Sequence, residues 1–287
     1  MIEGQSPGSL ARIACLLEVT AEKPGNVHRR ADFAGDAHYL DFLLSAGAIV
    51  ESLDRAATTG VGPAVLGAIE ATRRVVATNT NLGIVLLLAP LATVPPGEDL
   101  RGGVARVLGS TTVDDARDVY RAIRLARPGG LGAVDRGDVS GDPPGTLADA
   151  MKLAADRDLV ARQYATGYAD LFDLALPALI GAIASGRAIE PAIIACHLAV
   201  LAARPDTLIA RKRGPIVAHE ASRRARIAID SNDLESLDTW LRADGHARNP
   251  GATADLVAAT LFAALRDGII LLPIEETRWA SDSSIII

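Results

Sequence analysis

Apolar side chains recur at helical spacing along most of this chain, and that periodicity limits its fold more than any other feature. The spacing is i, i+3, i+4, i+7, and its first clear instance is Ile13, Leu16, Leu17 and Thr20. Alternating polar and apolar residues, which indicate half-buried strands, are nearly absent, and no internal repeat of about 20–50 residues is found. The sequence therefore predicts a single all-α domain over residues 1–287, built from about a dozen helices.

Capping residues predict where several of these helices begin. Thr112 followed by Asp115 is a carboxylate variant of the capping box, so a helix is expected to start there. Asn232 with Glu235 predicts a second helix start in the same way. A third helix is expected over 255–266, where an Asp-Gly pair follows the last apolar residues.

The charge balance and the longest apolar run exclude two classes of partner. The chain carries 29 basic and 35 acidic residues, a net charge of −6, whereas nucleic-acid binding needs a basic field. The apolar run 82–94 is interrupted by Pro90 and is shorter than the ~20 residues of a membrane span. The first residues lack the pattern of a signal peptide, so the expected location is cytoplasmic. An apolar content of 49% is compatible with a homo-oligomer interface.

The densest polar segment is 18–41, which reads EVTAEKPGNVHRRADFAGDAHYLD. Its Pro-Gly pair breaks a helix at Gly25 and leaves Lys23, Asn26 and His28 on irregular backbone. Loops that combine turn N–H groups with cations commonly hold anionic ligands. The segment is therefore a candidate anion-binding loop.

The carboxylates that follow form a candidate metal site. His38 and Asp41 lie one helical turn apart if a helix begins near Asp36. Mg²⁺ prefers oxygen ligands and keeps waters and substrate phosphates in its shell, so such carboxylates suit it. The alternative is that Asp36 is a helix cap and the other residues form a solvated face. Asp156, at the end of a charged helical face, is a further carboxylate candidate.

A second polar segment, TNTNLG at 78–83, directly precedes an apolar run. Asn79, Thr80 and Asn81 at that position indicate a helix N-terminus directed at a ligand. The alternative is an ordinary cap, because Asn and Thr are common at helix starts.

One basic patch stands out in this acidic chain. Arg211 and Lys212 follow Asp206 closely and are suited to a phosphate-rich ligand, although cations at a helix C-terminus also complement the helix dipole. A turn that feeds the last predicted helix contains three further polar or turn candidates: Asn249, Gly251 and Asp255.

Taken together, these segments resemble the triphosphoribosyl-dephospho-CoA synthase family. The matching stretches are EVTAEKPG at 18–25, DAHYLDFLLS at 36–45, TNTNLG at 78–83, DTLIARKRG at 206–214 and NPGATADLVAA at 249–259. They span nearly the whole chain. The resemblance implies an all-helical enzyme that transfers the 5-triphosphoribosyl group of ATP to 3′-dephospho-CoA and releases adenine.

The chain departs from the family pattern at three places. The asparagine-threonine motif of the family continues with His and Lys, where this chain has Asn81 and Leu82. Its Pro-Gly-Leu-Val opening is Pro-Gly-Asn-Val here, with Asn26 in the third position, and its double Gly after Asn-Pro is Gly251-Ala252. These departures predict that the chain is a divergent branch of the family, whose acceptor can differ from 3′-dephospho-CoA.

The resemblance also suggests roles for the candidate residues. An oxocarbenium-like transition state at C1″ of the ATP ribose requires a nearby carboxylate, so Asp36 and Asp41 are assigned to base or metal roles, with His38 assisting. Mg²⁺ is the expected cofactor, held by Asp36, Asp41 and Asp156. The expected substrate-binding residues are Lys23, Gly25, Asn26, His28, Asn79, Thr80, Asn81, Asp206, Arg211, Lys212, Asn249, Gly251 and Asp255.

Three other functions are compatible with the same residues. The first keeps the fold and the ATP donor but uses another acceptor, such as a one-carbon carrier cofactor of the tetrahydromethanopterin kind. The second is a metal-dependent hydrolase that cleaves a nucleotide N-glycosidic bond. The third is a non-catalytic nucleotide-binding helical protein, in which Asn81 and Leu82 mark lost activity.

Overall fold

A computed structural model describes residues 4–33, 37–129 and 138–274 of the chain. Within these ranges the fold is all-α, and β pairing is limited to two isolated bridges near residues 28–37. The prediction of a single all-α domain is confirmed. The predicted boundaries at residues 1 and 287 lie outside the described residues.

Sixteen α-helices lie within the described residues, twelve of them with eight residues or more. In chain order they are α1 Pro7–Thr20, α2 Tyr39–Ala48, α3 Val50–Asp54, α4 Ala56–Thr59, α5 Val61–Val75, α6 Leu82–Thr93, α7 Leu100–Gly109, α8 Val113–Ala126, α9 Leu147–Lys152, α10 Leu159–Thr166, α11 Leu176–Ala184, α12 Ile189–Ala203, α13 Thr207–Arg213, α14 Pro215–Ser231, α15 Leu234–Arg242 and α16 Gly251–Arg266. A π-helical turn, Leu171–Ala175, precedes α11, and a 3₁₀ turn, Gly245–Arg248, precedes α16.

Helices α6 and α16 form the centre of the core. Ten of the twelve residues of α6 and fourteen of the sixteen residues of α16 are buried. The two helices pack against each other, and α16 also packs against α1. A helix that is apolar on all sides belongs in the interior. The apolar run 82–94 accordingly forms a core helix, α6. Among the described residues no single helix is long and apolar enough to cross a membrane, although two bent helix pairs meet the criteria of length and composition.

The predicted helix ends agree with the structure at one start and differ from it at another. Thr112 Oγ1 accepts a hydrogen bond from Asp115 N at 3.1 Å, so the predicted capping box at the start of α8 is confirmed. The predicted cap Asn232 is wrong: this residue ends α14 in the left-handed conformation, and Asp233 caps α15. The last helix ends at Arg266 as predicted and begins at Gly251, four residues before the predicted segment 255–266 but within the turn predicted to feed it.

A proline inside α6 requires a partner from another helix. Pro90 has no N–H group, so the carbonyl of Leu86, four residues earlier, loses its helical partner. The Tyr164 hydroxyl donates to this carbonyl at 2.6 Å and thereby fills the vacancy. The Tyr168 hydroxyl donates to the next carbonyl, that of Leu87, at 2.8 Å.

We expect Tyr164→Phe to lower the free energy of unfolding by about 1–3 kcal/mol, because it leaves a buried carbonyl without a donor. Tyr168→Phe is the matched control, since the Leu87 carbonyl keeps its partner within the helix and the loss should be smaller. Urea unfolding of the two variants measures the difference. Equal losses would show that Pro90 does not create a vacancy at Leu86.

Candidate functional site

A cavity of about 970 Å³ opens among the N-termini of α6 and α16, the middle of α8 and the end of α13. Its volume lies at the upper end of the range for small-molecule sites, which suits a ligand as large as a nucleotide. Nine of the residues predicted to bind substrate line it: Asn26, Asn79, Thr80, Asn81, Arg211, Lys212, Asn249, Gly251 and Asp255. Segments far apart in the sequence therefore meet at one site.

One buried carboxylate joins two of these segments. Asp206 is fully buried, and its Oδ1 accepts hydrogen bonds from Leu208 N at 2.9 Å and Ile209 N at 3.1 Å, which caps α13. Its Oδ2 accepts from Thr253 N and Thr253 Oγ1, each at 2.8 Å, at the start of α16. Asp206 does not line the cavity. It holds the N-termini of α13 and α16 together and thereby positions the cavity residues that these two helices carry.

Positive charge is concentrated in the cavity of a chain whose net charge is negative. Among the described residues, five cationic side chains line it: Arg73, Arg127, Arg157, Arg211 and Lys212. Four carboxyl groups accompany them: Glu18, Asp138, Asp158 and Asp255. Glu18 is paired with the buried Lys23, which does not line the cavity, and burial raises the pKa of Asp255 well above its ordinary value, so these two carboxyl groups do little to offset the five cations. The cavity is therefore suited to an anionic ligand.

The α13 cations are held by partners that a ligand can replace. The Arg211 guanidinium donates to Asp158 Oδ2 at 3.0 Å, and both side chains are partly exposed. Lys212 Nζ donates to the carbonyl of His246 at 3.2 Å. The planar guanidinium of an arginine can bind phosphate oxygens through two parallel hydrogen bonds.

Amide side chains form a second wall. Asn26 Nδ2 donates to Asn249 Oδ1 at 2.6 Å, and Asn249 Nδ2 lies 2.5 Å from His246 Nε2. The buried Asn26 Oδ1 has no hydrogen-bond partner within the described part of the chain. The His246 ring packs against Phe33 with centroids 4.6 Å apart, which fixes this end of the chain of amides.

The segment before α6 combines capping with a cavity surface. Asn79 Oδ1 accepts from Leu82 N at 3.2 Å, while Asn81 Nδ2 donates to Thr72 Oγ1 at 3.0 Å. Thr80 forms a short hydroxyl contact with Ser45. Asn79 therefore caps α6, and all three residues line the cavity, while a ligand at this helix N-terminus stays a prediction.

Gly83 allows α6 and α16 to approach closely at the cavity wall. A Cβ on Gly83 would lie 2.0 Å from Asp255 Oδ2, so any side chain there displaces the carboxylate. We expect Gly83→Ala to lower the free energy of unfolding by about 1–3 kcal/mol through this overlap. Thermal unfolding measures it.

Gly109→Ala is the control for the previous variant, since a Cβ at this helical glycine meets nothing within 4 Å. That change should stabilise the protein by about 0.5–1 kcal/mol. The double variant Gly83→Ala/Asp255→Ala should recover most of the loss. A loss that persists in the double variant would mean that the overlap is not with Asp255.

Lys23 is placed behind the cavity rather than in it. Its side chain is fully buried, its Nζ lies 3.0 Å from Glu18 Oε1, and it also donates to the carbonyl of Ala21 at 3.2 Å. Glu18 lines the cavity, whereas Lys23 does not. The structure thus brings Glu18, which the sequence analysis did not single out, to the site, with Lys23 as its buried partner.

The neighbouring loop residues are also outside the lining. Gly25 has φ of 76° and donates its N–H to Asp238 Oδ1 at 2.7 Å, which fixes the turn. His28 Nδ1 accepts from Arg30 N at 3.3 Å. Burial, followed by the charges of Arg242 and Lys23, lowers the pKa of His28 to about 4, so the ring is neutral.

Three of the four candidates for catalysis and metal binding lie within the described residues, and none of the three lines the cavity. His38 and Asp41 cap α2, which begins at Tyr39 rather than near Asp36, and neither lines the cavity. Asp36 lies outside the described residues. The Asp156 side chain is 85% exposed and pairs loosely with Arg157 at 3.9 Å. In residues 4–33, 37–129 and 138–274, no three His, Cys, Asp or Glu side chains form a group that could hold a metal ion.

Comparison with known proteins identifies the family. The family described as CitG: ATP:dephospho-CoA triphosphoribosyl transferase matches residues 4–271. A crystal structure of a proposed triphosphoribosyl-dephospho-CoA synthase from Archaeoglobus fulgidus is similar, with a TM-score of 0.64 and 27% identity, over 79% of this chain and 99% of that one. No curated protein matches the sequence significantly. The predicted resemblance is confirmed, and the chain belongs to the CitG family of triphosphoribosyl-dephospho-CoA synthase-type transferases.

Proposed function

We propose that this protein transfers the 5-triphosphoribosyl group of ATP to the hydroxyl of 3′-dephospho-CoA and releases adenine. The observation that carries the proposal is the cavity whose described lining holds five cations in a chain of net charge −6. A triphosphate needs such a concentration of cations, because transfer chemistry near phosphates depends on positioning and charge neutralisation.

Arg211 and Lys212 are the proposed triphosphate ligands. Both lie at the end of α13 on the cavity surface, and a phosphate oxygen can take the place of Asp158 or of the His246 carbonyl as acceptor. Asn26 and Asn249 are proposed to orient the ribose and base, since linked amides present both donors and acceptors.

Mg²⁺ is proposed to enter with the triphosphate of ATP as part of the substrate. The predicted ligands Asp41 and Asp156 do not converge, so the described residues do not fit a site made by the protein alone. Mg²⁺ commonly binds through substrate phosphates with only one or two carboxylates, and no step of the proposed chemistry is routed through the ion. A cytoplasmic location and a homo-oligomeric state stay predictions.

A second acceptor class is favoured by one observation. Asn81 and Leu82, which occupy the positions of the family's His and Lys, both line the cavity. Asn81 is held by Thr72, and Leu82 replaces a cation with an apolar surface. An acceptor with less phosphate charge than 3′-dephospho-CoA, such as a one-carbon carrier cofactor of the pterin kind, fits this change.

Binding and product analysis test the proposal. Calorimetry with ATP and Mg²⁺ should show ATP binding at least about tenfold more tightly than adenosine, because adenosine lacks the triphosphate. Mass spectrometry of reactions with 3′-dephospho-CoA or with a pterin carrier should show one acceptor increased by the mass of a triphosphoribosyl group. Equal affinity for ATP and adenosine would contradict the triphosphate site, and an unmodified 3′-dephospho-CoA beside a modified pterin would establish the second acceptor.

A further inference from the structure

Two carboxyl groups line the cavity from neighbouring helices. Glu18 reaches it from α1 and Asp255 from α16, and these two helices pack against each other. Cys15 lies one turn before Glu18 on α1. Burial, and then the charges of Glu18 and Asp255, raise the pKa of its thiol, so both carboxylates act on the same point of the wall.

The two carboxyl groups differ in their surroundings. Burial raises the pKa of Glu18, but its Oε1 lies 3.0 Å from Lys23 Nζ, and this buried cation opposes the rise and favours the ionised carboxylate. In the part of the chain that the structure describes, Asp255 has no hydrogen-bond or ion-pair partner. Burial, and then the negative charge of Glu18, raise the pKa of Asp255 well above its ordinary value. A proton shared by the pair therefore resides on Asp255.

The groups around Asp255 maintain this state. The charged side chains that act on it from the neighbouring elements are Glu18 on α1, Asp206 and Arg211 at the two ends of α13, and Asp158 at the start of α10. Arg211 alone opposes the other three, and it is already paired with Asp158. From α12, His197 stays neutral, because burial and then the charge of Lys23 lower its pKa to about 3.

A structural role does not explain Asp255. Asp255 is partly exposed where it lines the cavity, and a desolvated carboxyl group without a partner destabilises a fold. A Cβ on Gly83 would overlap Asp255 Oδ2 at 2.0 Å. The glycine at position 83 therefore leaves room for the Asp255 carboxyl group at the cavity, although this group destabilises the fold. Carboxyl pairs whose surroundings favour different protonation states are typical of acid and base assignments in enzymes.

We propose that Glu18 and Asp255 are the catalytic carboxyl pair of the transfer, with Asp255 as the acid and Glu18 as the base. The bond between C1″ of the ATP ribose and the adenine nitrogen breaks, and the Asp255 carboxyl gives its proton to a ring nitrogen of adenine. The acceptor hydroxyl oxygen forms the new bond to C1″ and loses its proton to Glu18. Transfer of that proton from Glu18 to Asp255 restores the starting state, so atoms and charge balance.

This assignment rests on the proposed function and replaces Asp36, His38 and Asp41 in the catalytic roles. The Glu18 carboxylate also offsets the positive charge that develops at C1″, as a carboxylate does in glycosidases. Lys23 acts through Glu18 as a positioning residue.

The first test is Asp255→Asn, assayed for adenine release with ATP, Mg²⁺ and 3′-dephospho-CoA. We expect kcat to fall at least about 100-fold, because a general acid contributes this much or more. The Kd for ATP should be unchanged. Tm should rise by about 2–4 °C at neutral pH, since the variant removes an unpartnered ionisable group. The control is Asp114→Asn, at an exposed carboxylate outside the cavity. This variant should keep the wild-type kcat and Tm.

The Tm difference has a fixed direction with pH. The pKa of Asp255 is raised in the folded state, so the group weakens folding as pH rises above the ordinary aspartate value of about 3.9. The gain of Asp255→Asn should therefore grow with pH from that point and vanish below it.

The second test separates the acid from the base. Wild-type kcat/KM should follow a bell-shaped pH profile. The falling limb should disappear in Asp255→Asn, and the rising limb should disappear in Glu18→Gln/Lys23→Met, where the second substitution avoids an unpaired buried cation. If the two carboxyl groups had a merely structural role, kcat/KM would fall in both variants, but each pH profile would keep both its rising and its falling limb.

The outcomes separate the pair from the function. An active wild type with an Asp255→Asn variant that keeps its turnover overturns the pair and leaves the transferase intact. A fall of Tm in Asp255→Asn shows that the group has a structural partner and also overturns the pair. A wild type that binds ATP but modifies no acceptor overturns the proposed function, and the pair with it.

Discussion

Lys23→Met should lower the free energy of unfolding by about 3–5 kcal/mol, because it leaves Glu18 buried without its cation. The two side chains are 0% and 4% exposed and lie 3.0 Å apart, so water cannot replace the lost partner. The loss should grow as pH rises. Without Lys23 the pKa of Glu18 rises further in the folded state, and a raised pKa weakens folding above the ordinary glutamate value of about 4.3. Urea unfolding at several pH values measures it.

The double variant Glu18→Gln/Lys23→Met is the control for that prediction. It removes both charges and keeps the side-chain volumes, so most of the stability should return. The affinity for ATP should change little in Lys23→Met at temperatures where the variant is folded, because Lys23 does not line the cavity. A large loss of ATP affinity in a folded Lys23→Met would instead support the phosphate-binding role predicted from the sequence.

Arg211→Gln should weaken ATP binding about 10–100-fold, the effect of losing a charged hydrogen bond of about 1.5–3 kcal/mol. The reason is that Arg211 lines the cavity at the end of α13 and, within residues 4–33, 37–129 and 138–274, is held by a partly exposed ion pair with Asp158. Adenosine, which lacks phosphates, should bind the variant as it binds the wild type. Calorimetry with both ligands measures the contrast.

Arg101→Gln is the matched control for Arg211→Gln. Arg101 forms a bidentate pair with Asp173 at 2.6 and 2.8 Å on an exposed surface and does not line the cavity. Its variant should bind ATP normally. If Arg211→Gln weakens adenosine and ATP equally, the residue shapes the cavity rather than contacting the triphosphate.

Local patterns predicted the fold well because most helix boundaries here depend on nearby residues. The capping box at Thr112 involves atoms three residues apart and is visible in the sequence. The start of α16 falls in the turn predicted to feed the helix, but its capping partner could not be predicted, because the donors at Thr253 are capped by Asp206, 47 residues away. No short window of sequence contains such a pair.

The site was predicted in outline for the same reason. The polar segments were found because asparagines, arginines and Gly-Pro pairs are visible in an apolar chain, and nine of their residues do line one cavity. The packing of α1 against α16 determines which carboxylates face the cavity, and this packing cannot be read from the sequence. Glu18 resembles any charged residue inside a helix. Its sequence signals are its place at the start of the family-matching stretch 18–25 and its position five residues before Lys23, one of three lysines in a chain rich in arginine.

The most direct test of the central claim is adenine release from ATP, followed by chromatography with purified protein and Mg²⁺. Parallel reactions contain 3′-dephospho-CoA, a pterin one-carbon carrier, or no acceptor. Triphosphoribosyl transfer predicts adenine only when an acceptor is present, in equal amount to the modified acceptor. Adenine at the same rate without an acceptor would identify a nucleotide hydrolase, and tight ATP binding with no adenine in any reaction would identify a non-catalytic binding protein. Either result would contradict transfer.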